Sequence, residues 1–125
     1  MSRDLLELIL PRLARRLNRQ LRRFQSGQLD ESQFSQRFEL LLQQQHLWLA
    51  NQGHSELAAA VAVHAAVLVL SGAGLRAEAD DEHLPLEVVE FRAVCAAAAD
   101  IAEHFGVSKD RAIKRISSLV ASYAE

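Results

Sequence analysis

The chain has 125 residues, which suits one domain with its own hydrophobic core. Half of the residues are hydrophobic and 24% are charged, and five glycines and two prolines are too few for a turn-rich β architecture. The net charge of −2 is unevenly spread, at +5 over residues 1–26, −9 over 27–105 and +2 over 106–125. The basic ends either pack against the acidic middle or form a surface that faces phosphates.

Hydrophobic periodicity predicts five helices and no β-sheet, in an orthogonal or bundle-like all-α fold. The first helix covers residues 2–26, where Pro11 should either kink the helix or mark its true start. The second helix should begin at Asp30, because Asp30 and Gln33 have the spacing of a capping box, and it should end near Asn51.

The remaining helices follow from cap residues and turn residues. Ser55 is expected to cap a third, alanine-rich helix that ends at Leu70. Residues 72–85 are then expected to form one long loop, which is followed by a fourth helix over 86–105. Ser108 has the chemistry of an N-cap and should start the fifth helix.

Cys95 is the single cysteine of the chain, so an internal disulfide is excluded and the cytoplasm is the expected compartment. It lies within an apolar stripe of the fourth helix, where we expect it to be buried and unreactive. The stripe contains Val88, Phe91, Val94, Cys95, Ala98, Ile101, Ala102 and Phe105.

No secretory signal or membrane span is expected. The apolar run over residues 5–10 is interrupted by Glu7 and stopped by Pro11. The most apolar stretch, residues 57–70, is too short to cross a bilayer and has His64 in its middle. We therefore expect a soluble protein without a membrane partner.

Residues 99–116 contain a pattern of small, turn and cap residues. Ala102 is small where two helices would touch, Gly106 permits a left-handed turn, Val107 would fill the angle between the helices, and Ser108 caps the second one. With Ile101 and Phe105, these residues make the segment resemble the helix-turn-helix of bacterial DNA-binding proteins.

The resemblance implies that the helix starting at Ser108 reads the major groove of DNA. Lys109, Asp110 and Lys114 would then face base edges, and Arg111 and Arg115 would contact phosphates.

Two features depart from the family pattern. Ala112 stands where the family usually has a branched apolar residue, while Ile113 and Ile116 fall one position late. The stripe over residues 88–105 also has no glycine or proline, although a three-helix DNA-binding unit needs a break near residues 96–99. The alternative is a plain pair of helices whose basic residues are solvated.

Other patterns give no catalytic or metal site. The arginines of the first helix could bind phosphate, RNA or an anionic membrane, although a solvated amphipathic face is the more common explanation. The five histidines form no pair at a spacing of four residues and no cluster with cysteine, so no metal is expected. We also expect no enzyme activity, no cofactor and no small-molecule ligand.

The function predicted from these residues is that of a DNA-binding transcriptional regulator, with double-stranded DNA as the partner. Residues 1–71 would dimerise one such chain with another, and residues 86–125 would supply the DNA-binding helix pair. The alternative is a non-catalytic helical module for protein–protein interaction. Both roles fit a single helical domain over residues 1–125.

Overall fold

The computed structural model describes the backbone of residues 2–124 and the side chains of residues 5–123. The described chain is all-helical and contains no β-strand, which confirms the predicted fold class. Residues 2–124 form six helices rather than the predicted five. They are α1 (Ser2–Gln25), α2 (Glu31–Asn51), α3 (Glu56–Leu70), α4 (Gly72–Glu82), α5 (Leu86–Phe105) and α6 (Lys109–Ala124).

The cap residues fix the helix starts where the sequence predicts them. The carboxylate of Asp30 accepts the Gln33 backbone N–H at 2.8 Å, and the Gln33 side chain accepts the Asp30 N–H at 2.9 Å. Ser55 caps α3 through the Ala58 N–H at 3.1 Å. These bonds satisfy backbone donors that have no partner inside the first turn of a helix.

Helix α3 forms the centre of the bundle and packs against all five other helices. Its residues are apolar all round, which is typical of a helix enclosed by neighbours rather than one with a solvent face. Small alanines let those neighbours approach closely: Ala59, Ala62, Ala65 and Ala66 are fully buried. The core that surrounds them also draws side chains from α1, α2, α5 and α6.

Helix α4 occupies most of the segment predicted as a loop. The Ser71 N–H donates to the Val67 carbonyl while the Ser71 carbonyl accepts the Leu75 N–H, both at 2.9 Å, so α3 passes directly into α4. The segment forms a helix despite its two glycines, because its alanine, leucine, arginine and glutamate residues are good helix formers. The helix ends at Glu82 and is followed by His83, which adopts a left-handed conformation with φ of 56°.

An ion-pair network on the surface links α4 to α5. The Arg92 guanidinium of α5 donates to the Glu82 carboxylate and lies 3.9 Å from that of Glu78. The hydrogen bond to Glu82 is the main cause that raises the pKa of Arg92. The acidic run at the end of α4 is therefore partly compensated by α5.

The predicted apolar stripe of α5 is not buried along its whole length. Val89, Ala98 and Ile101 turn inward, whereas Phe91 is 58% exposed. The prediction that Cys95 is buried is wrong, because this thiol is only half-buried. Helix α5 packs against α4, α3 and α6. Because its neighbours change along its length, the side of the helix that is buried changes as well.

Pro11 lies inside α1 and does not mark its start, because the helix begins at Ser2. In the part of the chain that the structure describes, no single helix is long and apolar enough to cross a membrane. Helices α3 and α4 meet that criterion only as a pair bent by 60°.

Candidate nucleic-acid interface and two polar cavities

The turn between α5 and α6 has the local geometry that the sequence predicts. Gly106 is left-handed with φ of 69°, and its N–H donates to the Ala102 carbonyl at 2.9 Å. The Ser108 hydroxyl then accepts the Arg111 backbone N–H at 3.2 Å and caps α6. Val107 is half-buried and packs against the core. Glycine suits this turn because a side chain would be strained in the left-handed conformation.

The inward face of α6 is formed by three residues at spacings of four and three. Ala112, Ile116 and Leu119 are buried, while Ile113 is only partly buried. The helix therefore does not rotate to bury Ile113.

All five residues predicted to contact DNA are exposed, but they do not share one face. At 100° per residue, Asp110 and Lys114 lie opposite the buried face of α6. Arg111 and Arg115 lie on a flank beside α3, where they line a small cavity of about 90 Å³. Lys109 lies on the other flank. The geometry thus separates Lys114, which projects outward, from the two arginines.

Helix α5 is continuous across residues 96–99, so the break that a conventional three-helix unit requires is absent. Helix α3 packs against both α5 and α6, however, and these three helices form a mutually packed set. The described chain therefore exposes the basic residues of α6 but lacks the break in α5.

A cavity of about 610 Å³ collects three histidines that the sequence did not group. His46 of α2, His64 of α3 and His104 of α5 line it together with Asp100 and Glu103. Their separations along the chain carry no recognisable motif, so only the packing of three helices could reveal the cluster. Among the described residues, no three histidine, cysteine or acidic side chains are arranged to hold a metal ion.

Two of these histidines are held by backbone carbonyls of α3. His46 Nε2 lies 3.2 Å from the Glu56 oxygen, and His64 Nδ1 lies 2.8 Å from the Ala60 oxygen. A carbonyl only accepts, so each of these nitrogens carries the proton. These hydrogen bonds fix the orientation of both rings. His46 and His64 therefore have a structural role in the packing around α3.

A second cavity, of about 470 Å³, lies between α1 and α2, and we name it the arginine cleft. Arg37 of α2 joins arginines of α1 here, a convergence that helical periodicity within α1 does not reveal. The lining residues are Arg12, Arg15, Arg16, Arg19, Gln20, Arg37, Leu40, Leu41 and Gln44.

Comparison of this chain with protein-family models, with curated proteins and with solved structures found no match.

Proposed function

We propose that the protein binds duplex DNA through α6, as a non-catalytic regulator. The observation that carries the proposal is the capped turn at Gly106 and Ser108, which presents a helix with four exposed basic residues. Within residues 5–123, the structure records no side-chain hydrogen bond or ion pair for Lys109, Arg111, Lys114 or Arg115. Their charges are therefore available to phosphates.

The positions of the basic residues on α6 also indicate which of them would enter a groove and which would contact phosphates. Lys114 points away from the bundle and is placed to enter a groove, whereas Arg111 and Arg115 on the flank are placed to meet the phosphate backbone. Because α5 is unbroken, α3 supplies the third supporting helix in this proposal.

The test is a fluorescence anisotropy titration of a labelled random-sequence duplex at two salt concentrations. We expect Lys114→Ala to weaken binding and Arg115→Ala to reduce the log–log salt slope by about one, as for one lost phosphate contact. Arg76→Ala removes an exposed charge from α4 and is the matched control, which should leave affinity unchanged. Circular dichroism checks that each variant remains folded.

The proposal fails if the wild-type protein shows no salt-dependent affinity for the duplex at low ionic strength. It also fails if Arg76→Ala weakens binding as much as Lys114→Ala, because the attraction would then be diffuse rather than localised on α6.

An exposed apolar stripe favours a second candidate function, that of a helical interaction module whose partner is a second copy of this chain. Leu84, Val88 and Phe91 are 36%, 42% and 58% exposed, and Cys95 continues their line. Val88, Phe91 and Cys95 follow one another at spacings of three and four residues, which places them on one face of α5, the pattern of a seam between two helices, and Leu84 lies just before that helix. Two α5 helices could thus pack antiparallel about a twofold axis.

The oligomeric state tests this second candidate. Multi-angle light scattering should give a dimer for the wild-type protein and a monomer for Phe91→Glu. Leu47→Glu is the control, because Leu47 is a similarly exposed apolar residue on α2, at 62%. A monomeric wild-type protein, or dissociation by Leu47→Glu instead, would rule out the α5 seam.

A further inference from the structure

The arginine cleft concentrates positive charge in a concave space. Arg12, Arg16 and Arg19 recur at spacings of four and three residues, so they follow one face of α1, with Arg15 beside them. Arg37 adds a fifth guanidinium from α2. Among the residues whose side chains the structure describes, no acidic one lines the cleft. Clefts lined by charge of one sign focus the electric field and attract ions of the opposite sign.

The partners of these arginines within the described chain are uncharged. Arg16 donates to the Gln44 side-chain oxygen at 3.3 Å, and Arg12 stacks over the Trp48 ring. For Arg15, Arg19 and Arg37, the described residues supply no hydrogen bond and no ion pair. Within residues 5–123, no carboxylate forms an ion pair with any of these five positive charges.

Two lining residues also have buried polar atoms without a partner. The Arg12 Nε and the Gln20 Oε1 are both shielded from solvent, and neither makes a hydrogen bond. Of these two atoms only the Arg12 Nε–H donates, because the Gln20 Oε1 is an acceptor. Buried polar groups are nearly always hydrogen-bonded, so the unpaired Arg12 Nε–H leaves a donor at the cleft that an acceptor would satisfy.

We propose that the arginine cleft binds a compact soluble anion that carries two or more phosphate groups. Guanidinium groups pair with phosphate oxygens through two parallel hydrogen bonds, and five of them provide more donors than a single phosphate can use. A volume of about 470 Å³ matches a small ligand. The concave shape disfavours a flat membrane or a duplex.

Phosphates rather than a base should dominate recognition. No aromatic ring lines the cleft, and the Trp48 face that could stack on a base is covered by Arg12. Leu40 and Leu41 are the apolar lining residues, which leaves little surface for a hydrophobic group. Tripolyphosphate is therefore a suitable probe, because it presents the phosphate groups alone.

Isothermal titration calorimetry of the full chain with sodium tripolyphosphate tests the inference. We expect one binding site, with affinity reduced about tenfold or more by Arg37→Ala and by Arg19→Ala, since each variant removes a charge-assisted hydrogen bond. Arg19 and Arg37 are exposed, so both variants should fold. Arg22→Ala is the matched control, because it removes an exposed arginine of α1 that lies outside the cleft.

The inference is overturned if tripolyphosphate does not bind at low ionic strength, or if Arg22→Ala weakens binding as much as Arg37→Ala. It is also overturned if vesicles containing a phosphorylated inositol lipid bind through Arg37 while tripolyphosphate does not, because the anion would then be a lipid headgroup. Arg37→Ala should leave duplex binding unchanged, and Lys114→Ala should leave tripolyphosphate binding unchanged. The proposal for the arginine cleft and the proposal for α6 can therefore be refuted independently.

Discussion

The guanidinium carbon of Arg12 lies 3.9 Å from the centroid of the Trp48 ring, so a cation of α1 stacks on an aromatic ring of α2. This contact joins the two helices that enclose the arginine cleft. It also holds Arg12 in place without neutralising its charge, which keeps the guanidinium attractive to an anion.

A double-mutant cycle measures this pair. Arg12→Ala and Trp48→Leu should each lower the free energy of unfolding, and the double variant should reveal a coupling of about 0.5–1 kcal/mol, as for a partly exposed cation–π contact. Urea denaturation gives the four values. Strictly additive effects would show that the two side chains touch without a specific interaction.

The capping box of α2 should contribute measurably to stability. Asp30→Ala removes the acceptor for the Gln33 N–H and should lower the free energy of unfolding by about 1 kcal/mol. Ser35→Ala, at an exposed position inside α2, is the control and should have little effect or stabilise slightly. Equal urea midpoints for Asp30→Ala and the wild-type protein would contradict the prediction.

Two glycine substitutions should act in opposite directions. Gly106→Ala places a side chain in the left-handed region and should destabilise the protein by about 1–2 kcal/mol. Gly74→Ala lies within α4, where an added Cβ meets nothing within 4 Å, and should stabilise by about 0.5–1 kcal/mol. Thermal melts followed by circular dichroism compare the two. The same sign for both changes would refute the assignment of these conformations.

Gln45 offers a route to higher stability. Its side chain is fully buried, and neither amide atom has a hydrogen-bond partner in the described chain. Gln45→Met keeps a similar shape and removes the unpaired groups, so we expect a gain of about 1–3 kcal/mol. Gln43→Met, at an exposed position of α2, should change little. A loss of stability in Gln45→Met would mean that ordered water satisfies the amide.

Local chemistry made most helix boundaries predictable from the sequence. Asp30, Ser55 and Ser108 accept backbone N–H groups of the turn that follows each of them, and Gly106 takes a conformation that disfavours side chains. Each of these features depends on a few neighbouring residues, so no knowledge of the fold is needed. The same holds for the all-helical class, which follows from composition and periodicity.

For residues 72–85, the local sequence signals gave a wrong prediction of a loop. Two glycines and an acidic run indicated a loop, yet α4 forms there because Ser71 serves both as the end of α3 and as the start of the next helix. Arg92, ten residues beyond Glu82, then pairs with the acidic end of α4. That ion pair depends on how α4 and α5 pack.

The sequence by itself determined the helical class, the cap residues and the exposed basic residues of α6, because these depend on composition and on spacings of a few residues. Only the tertiary structure decided that Phe91 is exposed, that Cys95 is half-buried and that Arg37 joins the arginines of α1. Hydrophobic periodicity shows that a helix has an apolar face but does not identify its partner. The position of each helix against its neighbours therefore decides which residues are buried and which line a cleft.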